Sequence, residues 1–256
     1  SVYGRLNADH FAACIPTESL RLEELLESLQ RQVERFHVQQ TVTVSAGVYR
    51  VENPSLPVDQ MCDRANLALQ TIKGNYKCHI AWYTEQMWED MLREQEIRST
   101  MEEALHQRQF QVYLQPVYSL SEGRAVSAEA LVRWIRPGGE VVGPDAFIPL
   151  FEKNGFIAEL DLYVWTEVCR YLQERQRKGL APIPISVNIS RASLYLPETC
   201  GRICDVTKRF GIAPSLFRLE ITESAYVEEP ERIREAAEEL RGKGYLILMD
   251  DFGSGY

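Results

Sequence analysis

Residues 185–190, "ISVNIS", decide the fold, because polar and apolar side chains alternate there with the period of a β-strand. Further strands are predicted on both sides of this stretch, at 110–115, 126–134, 216–222 and 245–249. Amphipathic helical patterns lie between them, at 145–153, 159–178, 198–210 and 230–243. Strands that alternate regularly with helices predict a largely parallel sheet, either doubly wound or closed into a barrel.

The predicted strands carry polar side chains on one face and apolar side chains on the other, because successive side chains point to opposite sides of a strand. In residues 216–222, "LFRLEIT", Glu220 faces away from Leu219 and Ile221, and Asn188 faces away from Val187 and Ile189. The apolar faces are expected to pack on helices. The opposite faces carry these side chains: Glu129 and Arg133 in "AEALVRW" (128–134), Ser186, Asn188, Arg218, Glu220 and Asp250.

Four of these polar residues are expected at or near the carboxyl ends of their strands, which is the catalytic rim of a (β/α)8 barrel. They are Glu129, Asn188, Glu220 and Asp250. Carboxylates that converge repel each other unless a cation lies between them, and their oxygens suit Mg²⁺, Mn²⁺ or Ca²⁺. Asp251, one residue further, predicts a second ion about 3.5–4 Å from the first. The alternative is that each carboxylate caps a helix or pairs with an arginine.

Composition narrows the class of protein. The 256 residues carry a formal net charge of −9, which argues against DNA or RNA as a partner. No apolar run reaches the length that spans a bilayer, so membrane attachment is expected only through segments preceding Ser1. The six cysteines are scattered, as in reduced thiols of a cytoplasmic protein.

The first half of the chain predicts a smaller α/β unit. Two short strands span 2–15, and further strands lie at 41–49 and 79–83. Helical patterns run from 17 to 33 and from 59 to 73, and a long charged helix occupies 85–109. We therefore predict three parts, namely a first domain at 1–84, a linking helix at 85–109 and a second domain at 110–256.

Five ordered motifs in the second domain closely resemble the EAL domain, a family of cyclic di-GMP phosphodiesterases built on a (β/α)8-like barrel. They are "YLQPV" (113–117), "AEALVRW" (128–134), "SVNIS" (186–190), "LEITES" (219–224) and "DDFGSGY" (250–256). The resemblance implies metal-dependent hydrolysis of cyclic di-GMP to the linear dinucleotide with Mg²⁺ or Mn²⁺. It also implies a homodimer formed through this domain. Only five strands are predicted between residues 110 and 256, whereas a (β/α)8 barrel has eight, so we expect a barrel truncated after its fifth strand.

The resemblance also implies a role for each matching residue. Glu129, Asn188, Glu220 and Asp250 hold a first metal ion, and Asp250 and Asp251 hold a second. Glu129, Asp250 and Asp251 are thus the expected catalytic residues. Glu223 supports the loop after Asp251, and Gln115 and Arg133 contact the dinucleotide. An alternative is a non-catalytic cyclic di-GMP receptor that acts through a protein partner, although such receptors are expected to lose metal ligands.

The first domain resembles the carboxyl-terminal part of a GGDEF domain, the diguanylate cyclase fold. "GRLNADHFAACIP" (4–16) stands where that family has its Gly-Gly-Asp-Glu core, with Asn7 and Ala8 at the glycines, Asp9 at the aspartate and His10 at the metal-binding glutamate. A Cβ at the glycine positions blocks close approach of a nucleotide, and imidazole is a poor Mg²⁺ ligand. We expect a degenerate domain without cyclase activity, and binding of GTP there is left open.

Overall fold

The computed structural model describes residues 1–35, 42–74, 78–223, 230–250 and 253. The chain divides into two compact units, Ser1–Gln95 and Glu96–Tyr256. The division falls within one helix, α3 (Glu85–His106), which lies inside the predicted linking segment 85–109. Among the described residues, no helix combines the length and the apolar composition needed to cross a membrane.

Within its described residues, the first unit contains two small sheets and two α-helices of its own. Strands β1 (Val2–Asn7) and β2 (His10–Cys14) pair antiparallel, and β3 (Ala46–Val48) and β4 (Ile80–Trp82) pair parallel. Helix α1 (Leu22–Arg35) begins later than predicted, because a 3₁₀ turn at Thr17–Ser19 follows Pro16. Helix α2 (Val58–Thr71) lies against β3, where a Cβ on Gly47 would stand 1.9 Å from the Ala65 carbonyl oxygen.

A six-stranded sheet organises the second unit. Its strands are β5 (Phe110–Ser119), β6 (Arg124–Ile135), β7 (Val141–Val142), β8 (Ile185–Asn188), β9 (Phe217–Thr222) and β10 (Ile247–Asp250). The order is β10-β9-β8-β6-β5, and β7 pairs with β6. The described strands form an open sheet with no closed barrel.

The prediction of a largely parallel sheet of five strands was only partly right. The pairs β6–β8, β8–β9 and β9–β10 are parallel, but β5–β6 and β6–β7 are antiparallel, and β7 was not predicted. Strands β5 and β6 form a longer hairpin than expected. The predicted end of β5 at 115 was wrong because Pro116 is tolerated on a strand at the sheet edge, where one row of N–H groups has no partner strand.

Helices cover the apolar face of the sheet. They are α4 (Pro144–Asn154), α5 (Ile157–Arg177), the short α6 (Arg191–Leu194), α7 (Thr199–Phe210) and α8 (Pro230–Gly242). Val187 and Leu219 are fully buried in one core with Trp165 of α5 and Ile203 of α7. Along β9, buried and half-buried residues alternate strictly, so the polar side chains lie on the opposite, more open face.

Candidate functional site

Three carboxylates from three strands converge on the polar face of the sheet. Glu129 of β6, Glu220 of β9 and Asp250 of β10 each offer an oxygen within 4.8 Å of those of the other two. All three side chains are half-buried. In the part of the chain that the structure describes, this is the one group of three or more His, Cys, Asp or Glu residues close enough to share an ion.

The expectation that Glu129 lies at or near the carboxyl end of its strand was only partly right. It stands in the middle of β6, because that strand continues past it to pair with β7. Where β6 pairs with β8, however, Glu129 is opposite Ser186 and the pairing ends one residue later, at Ala130. Glu129 therefore lies at the carboxyl end of the parallel part of β6, beside the strand ends that carry Asn188 and Asp250.

Glu220 is the member of the trio whose hydrogen bonding is incomplete. Its Oε2 atom is buried and has no hydrogen-bond partner. The pKa of Glu220 is raised above its usual value, chiefly because the side chain is partly buried, and the neighbouring charges of Glu129 and Asp250 raise it further. A hydrogen bond from Ser186 and the positive charge of Arg218 act in the opposite direction. A buried carboxylate oxygen without a donor is costly, so this atom is available for a cation.

The residues present fit a divalent metal ion. Hard cations such as Mg²⁺ and Mn²⁺ bind carboxylate and amide oxygens, and the three carboxylates supply the charge. Asn188 ends β8 and stands directly opposite Glu220 in the register of the two strands, on the same face. Its role as a fourth ligand stays a prediction. Asp251, predicted to hold a second ion, lies outside the described residues.

Glu223 follows β9 and contacts the segment beyond Asp251. Its carboxylate oxygen Oε2 accepts a hydrogen bond of 2.5 Å from the backbone N–H of Gly253. Gly253 has a φ of +89°, a left-handed conformation that favours glycine. This contact lies where the sequence predicted a loop-supporting residue, and that role is still to be tested.

A concave surface adjoins the trio on the same face of the β5–β6 hairpin. Gln115 stands opposite Glu129 in the register, and Arg133 lies four residues further along β6. The surface encloses about 390 Å³ and is lined by Tyr113, Leu114, Gln115, Leu131, Arg133 and Val141. The Arg133 guanidinium donates a hydrogen bond of 2.8 Å to the Val132 carbonyl oxygen. The sequence analysis missed Tyr113, although it alternates with Gln115 and therefore shares its face.

The segment that the sequence predicts to be a degenerate cyclase motif forms the turn of the β1–β2 hairpin. Asn7 and His10 are paired across the two strands, Ala8 and Asp9 form the turn between them, and all four residues are exposed. The Arg5 side chain donates from Nε to the Ala8 carbonyl oxygen at 2.9 Å. His10 and Asp9 belong to no shared cluster of metal-ligating side chains within the described ranges.

Comparison with known proteins identifies the second unit. Residues 98–256 match the family model of the EAL domain. The cyclic di-GMP phosphodiesterase NbdA of Pseudomonas aeruginosa is 29% identical over 215 residues, which cover 84% of this chain and 28% of NbdA. The bifunctional diguanylate cyclase/cyclic di-GMP phosphodiesterase MucR of the same organism is 26% identical over 259 residues, which cover 98% of this chain and 38% of MucR. The chain thus spans well under half the length of both relatives.

A solved structure agrees with the sequence comparison. The structure of the MucR phosphodiesterase in complex with cyclic di-GMP superposes with a TM-score of 0.60 and 30% sequence identity. The match covers 63% of this chain and 65% of that one.

Proposed function

The chain belongs to the EAL domain family, and from that premise we propose that its second unit takes part in metal-dependent hydrolysis of cyclic di-GMP to the linear dinucleotide. The observation that carries the proposal is the convergence of Glu129, Glu220 and Asp250, with one Glu220 oxygen buried and without a hydrogen-bond donor. The similarity to NbdA and MucR, which are both named as cyclic di-GMP phosphodiesterases, supports the proposal.

Each residue then has a defined task. Glu129, Asn188, Glu220 and Asp250 would hold a first ion, Mg²⁺ or Mn²⁺, and Asp250 and Asp251 would hold a second. When bound, such ions stabilise negative charge on phosphoryl oxygens and activate water for attack on phosphorus. Hydrolysis of one phosphodiester of the ring adds a hydroxyl group from water to phosphorus and a proton to the sugar oxygen whose bond to that phosphorus breaks, so the ring opens to the linear dinucleotide without any redox change.

The hairpin face binds the dinucleotide. Gln115 lies opposite Glu129, close enough to the trio to donate to a ligand that the metal site holds. Arg133 supplies a positive charge on the same face, and its planar guanidinium suits a phosphate. Glu223 holds Gly253 in place, and through it the segment that carries Asp251.

We further propose that the first unit is a GGDEF-like domain without cyclase activity. The match to MucR, a bifunctional cyclase, extends over 98% of this chain and therefore includes the first unit. The turn residues Asn7 and Ala8 each carry a Cβ where the family has glycine, and His10 replaces the acidic ligand. Loss of both features removes nucleotide approach and metal binding together, which leaves a regulatory role.

The test is hydrolysis of cyclic di-GMP by the protein that carries this chain, in saturating Mg²⁺ or Mn²⁺, with the linear dinucleotide measured by chromatography. Asp250→Asn is expected to abolish hydrolysis and to lower the metal stoichiometry by both ions. Asp251→Asn is expected to stop turnover but to keep the first ion. Near-normal hydrolysis by Asp250→Asn would refute the site, and near-normal hydrolysis by Asp251→Asn would refute the two-ion mechanism. Tight binding without cleavage by the unmodified protein would instead support a receptor.

A further inference from the structure

Two side chains of α5 hold the backbone that follows Asn188. The Trp165 indole donates from Nε1 to the Asn188 carbonyl oxygen at 3.2 Å. One turn earlier on the same helix, Asp161 Oδ2 accepts a hydrogen bond of 2.9 Å from the Ser190 backbone N–H. Both side chains are buried, with 8% of Asp161 and 1% of Trp165 exposed.

The peptide group between Asn188 and Ile189 is consequently fixed from both sides. Its carbonyl oxygen accepts from Trp165, and its N–H donates to the Glu220 carbonyl oxygen at 2.9 Å. One side of the peptide is thus tied to α5 and the other to the strand that carries Glu220. A peptide held at both of its polar groups cannot rotate without breaking one of these hydrogen bonds, and leaving a buried polar group without its partner costs about 1–3 kcal/mol.

Asp161 fastens the next turn as well. The same Oδ2 atom accepts a hydrogen bond of 2.7 Å from the Ser193 hydroxyl, and the Ser190 hydroxyl oxygen caps α6 by accepting from the Ser193 N–H at 3.1 Å. The chain therefore has little freedom where β8 ends. A buried carboxylate is costly unless hydrogen bonds compensate for its burial. In the described part of the chain, the hydrogen bonds that Asp161 accepts come from Ser190 and Ser193.

We propose that Asp161 and Trp165 are positioning residues of the metal site, which act by fixing the backbone of Asn188 so that its side-chain amide oxygen faces the ion. The inference rests on the proposed function, because Asn188 is a ligand only if the trio binds a metal. Neither side chain touches the ion. Groups that orient metal ligands from behind typically contribute about 10–100-fold to metal affinity.

The chain offers a matched pair of variants for the test. Trp165→Phe removes the indole donor to Asn188, whereas Trp134→Phe removes an indole donor to the Gln109 side chain at 2.9 Å. Each tryptophan is 1% exposed and belongs to the same core. The two variants should therefore lose similar stability. Only Trp165→Phe should weaken Mn²⁺ binding, with Kd raised roughly tenfold, whereas Trp134→Phe should stay within about twofold of the unmodified chain.

The measurement is Mn²⁺ titration of the full chain, followed by calorimetry or by water-proton relaxation, with Glu220→Gln as the reference that removes a proposed ligand. Equal Kd values for Trp165→Phe and Trp134→Phe, while Glu220→Gln abolishes binding, would overturn the positioning role and leave the metal site standing. Absence of Mn²⁺ binding by the unmodified chain, or binding that Glu220→Gln does not change, would overturn the metal site and this inference with it.

Asp161 provides a second, independent comparison. Asp161→Asn keeps a side-chain oxygen that accepts from Ser190 and Ser193, so Mn²⁺ affinity should stay within about twofold of that of the unmodified chain. Asp161→Leu has similar bulk but no acceptor, and should raise Kd roughly tenfold. Equal affinity of the Asn and Leu variants would contradict the role of Asp161. If the Leu variant fails to fold, the tryptophan pair still decides the matter.

Discussion

Replacement of Glu220 by glutamine should make the metal-free second unit more stable and the metal-loaded one less stable. Without an ion, the three carboxylates of Glu129, Glu220 and Asp250 repel each other at separations within 4.8 Å. Glutamine removes one of the three charges and places an NH₂ donor beside the two that remain. The same change deletes a ligand oxygen, so an ion that normally offsets the repulsion is no longer held.

The size of the effect follows from the geometry. Two unit charges 4.8 Å apart interact by about 3.5 kcal/mol at an effective dielectric constant of about 20. Water screens these half-buried groups, so we expect roughly 1–2 kcal/mol of added stability in the metal-free variant. For a unit of this size, that raises the melting temperature by roughly 2–8 °C. Mn²⁺ at 100 times its Kd stabilises the unmodified protein by about 2.7 kcal/mol and should not stabilise the variant.

Differential scanning calorimetry of both proteins, first in chelator and then in saturating Mn²⁺, tests whether the order of their melting temperatures reverses. The variant should melt higher in chelator and lower in Mn²⁺. Glu122→Gln is the control, because Glu122 lies in the β5–β6 turn, where it pairs with Arg124 outside the trio. It should shift stability by no more than about 0.5 kcal/mol and keep the Mn²⁺ response. A Glu220→Gln variant that melts lower than the unmodified protein in chelator would refute the argument from repulsion.

Three further predictions concern other parts of the chain. Burial raises the pKa of Asp161 to about 6, so its carboxyl group binds a proton more tightly in the folded state than in the unfolded state. This difference stabilises the fold below about pH 4, and the stabilisation is lost as the pH rises to about 6. Asp161→Asn should remove that part of the pH dependence in urea unfolding between pH 4 and 7.5, and an unchanged slope would contradict it. Gly47→Ala should destabilise the first unit by roughly 3 kcal/mol or more, because the new Cβ would stand 1.9 Å from the carbonyl oxygen of Ala65 in a helix. Gly4→Ala is the control, because a Cβ on Gly4 has no atom within 4 Å. Equal melting temperatures of the two variants would refute the packing argument. Arg133→Ala should weaken cyclic di-GMP binding about tenfold or more and leave Mn²⁺ affinity unchanged in parallel titrations; loss of both affinities would place Arg133 in the metal site instead.

The alternation of side chains made the polar face of the sheet predictable. In "LFRLEIT" and "ISVNIS" the period of two assigns each residue to a face without knowledge of any partner, and the structure keeps Leu219 and Val187 buried. The length of the β5–β6 hairpin was not predictable in the same way. Pro116 stops a strand in the interior of a sheet but not at its edge, and the sequence does not say which strand lies at the edge.

The hydrogen bonds between α5 and the segment that follows β8 could not be predicted from the sequence either. Asp161 is a polar residue on the apolar side of a helix, next to Leu160, which is unusual enough to notice. Its partners, however, are Ser190 and Ser193, 29 and 32 residues further along the chain. Periodicity tells which way a side chain points and carries no information about the segment that it meets.

The meeting of the three carboxylates depends on the stagger of the strands as much as on their faces. From β6 to β10, the proposed ligands lie progressively further along their strands toward the carboxyl ends. Ser186 is opposite Glu129, and Glu220 is opposite Asn188, two residues after Ser186; Asp250 is opposite Thr222, two residues after Glu220. In a flat sheet, Glu129 and Asp250 would lie three strand spacings, about 14 Å, apart across the strands and four residues, about 13 Å, apart along them. Their oxygens nevertheless lie within 4.8 Å of each other. A flat sheet cannot bring these side chains together, so the sheet curves toward its polar face. The site therefore depends on the curvature of the sheet, which no single motif encodes.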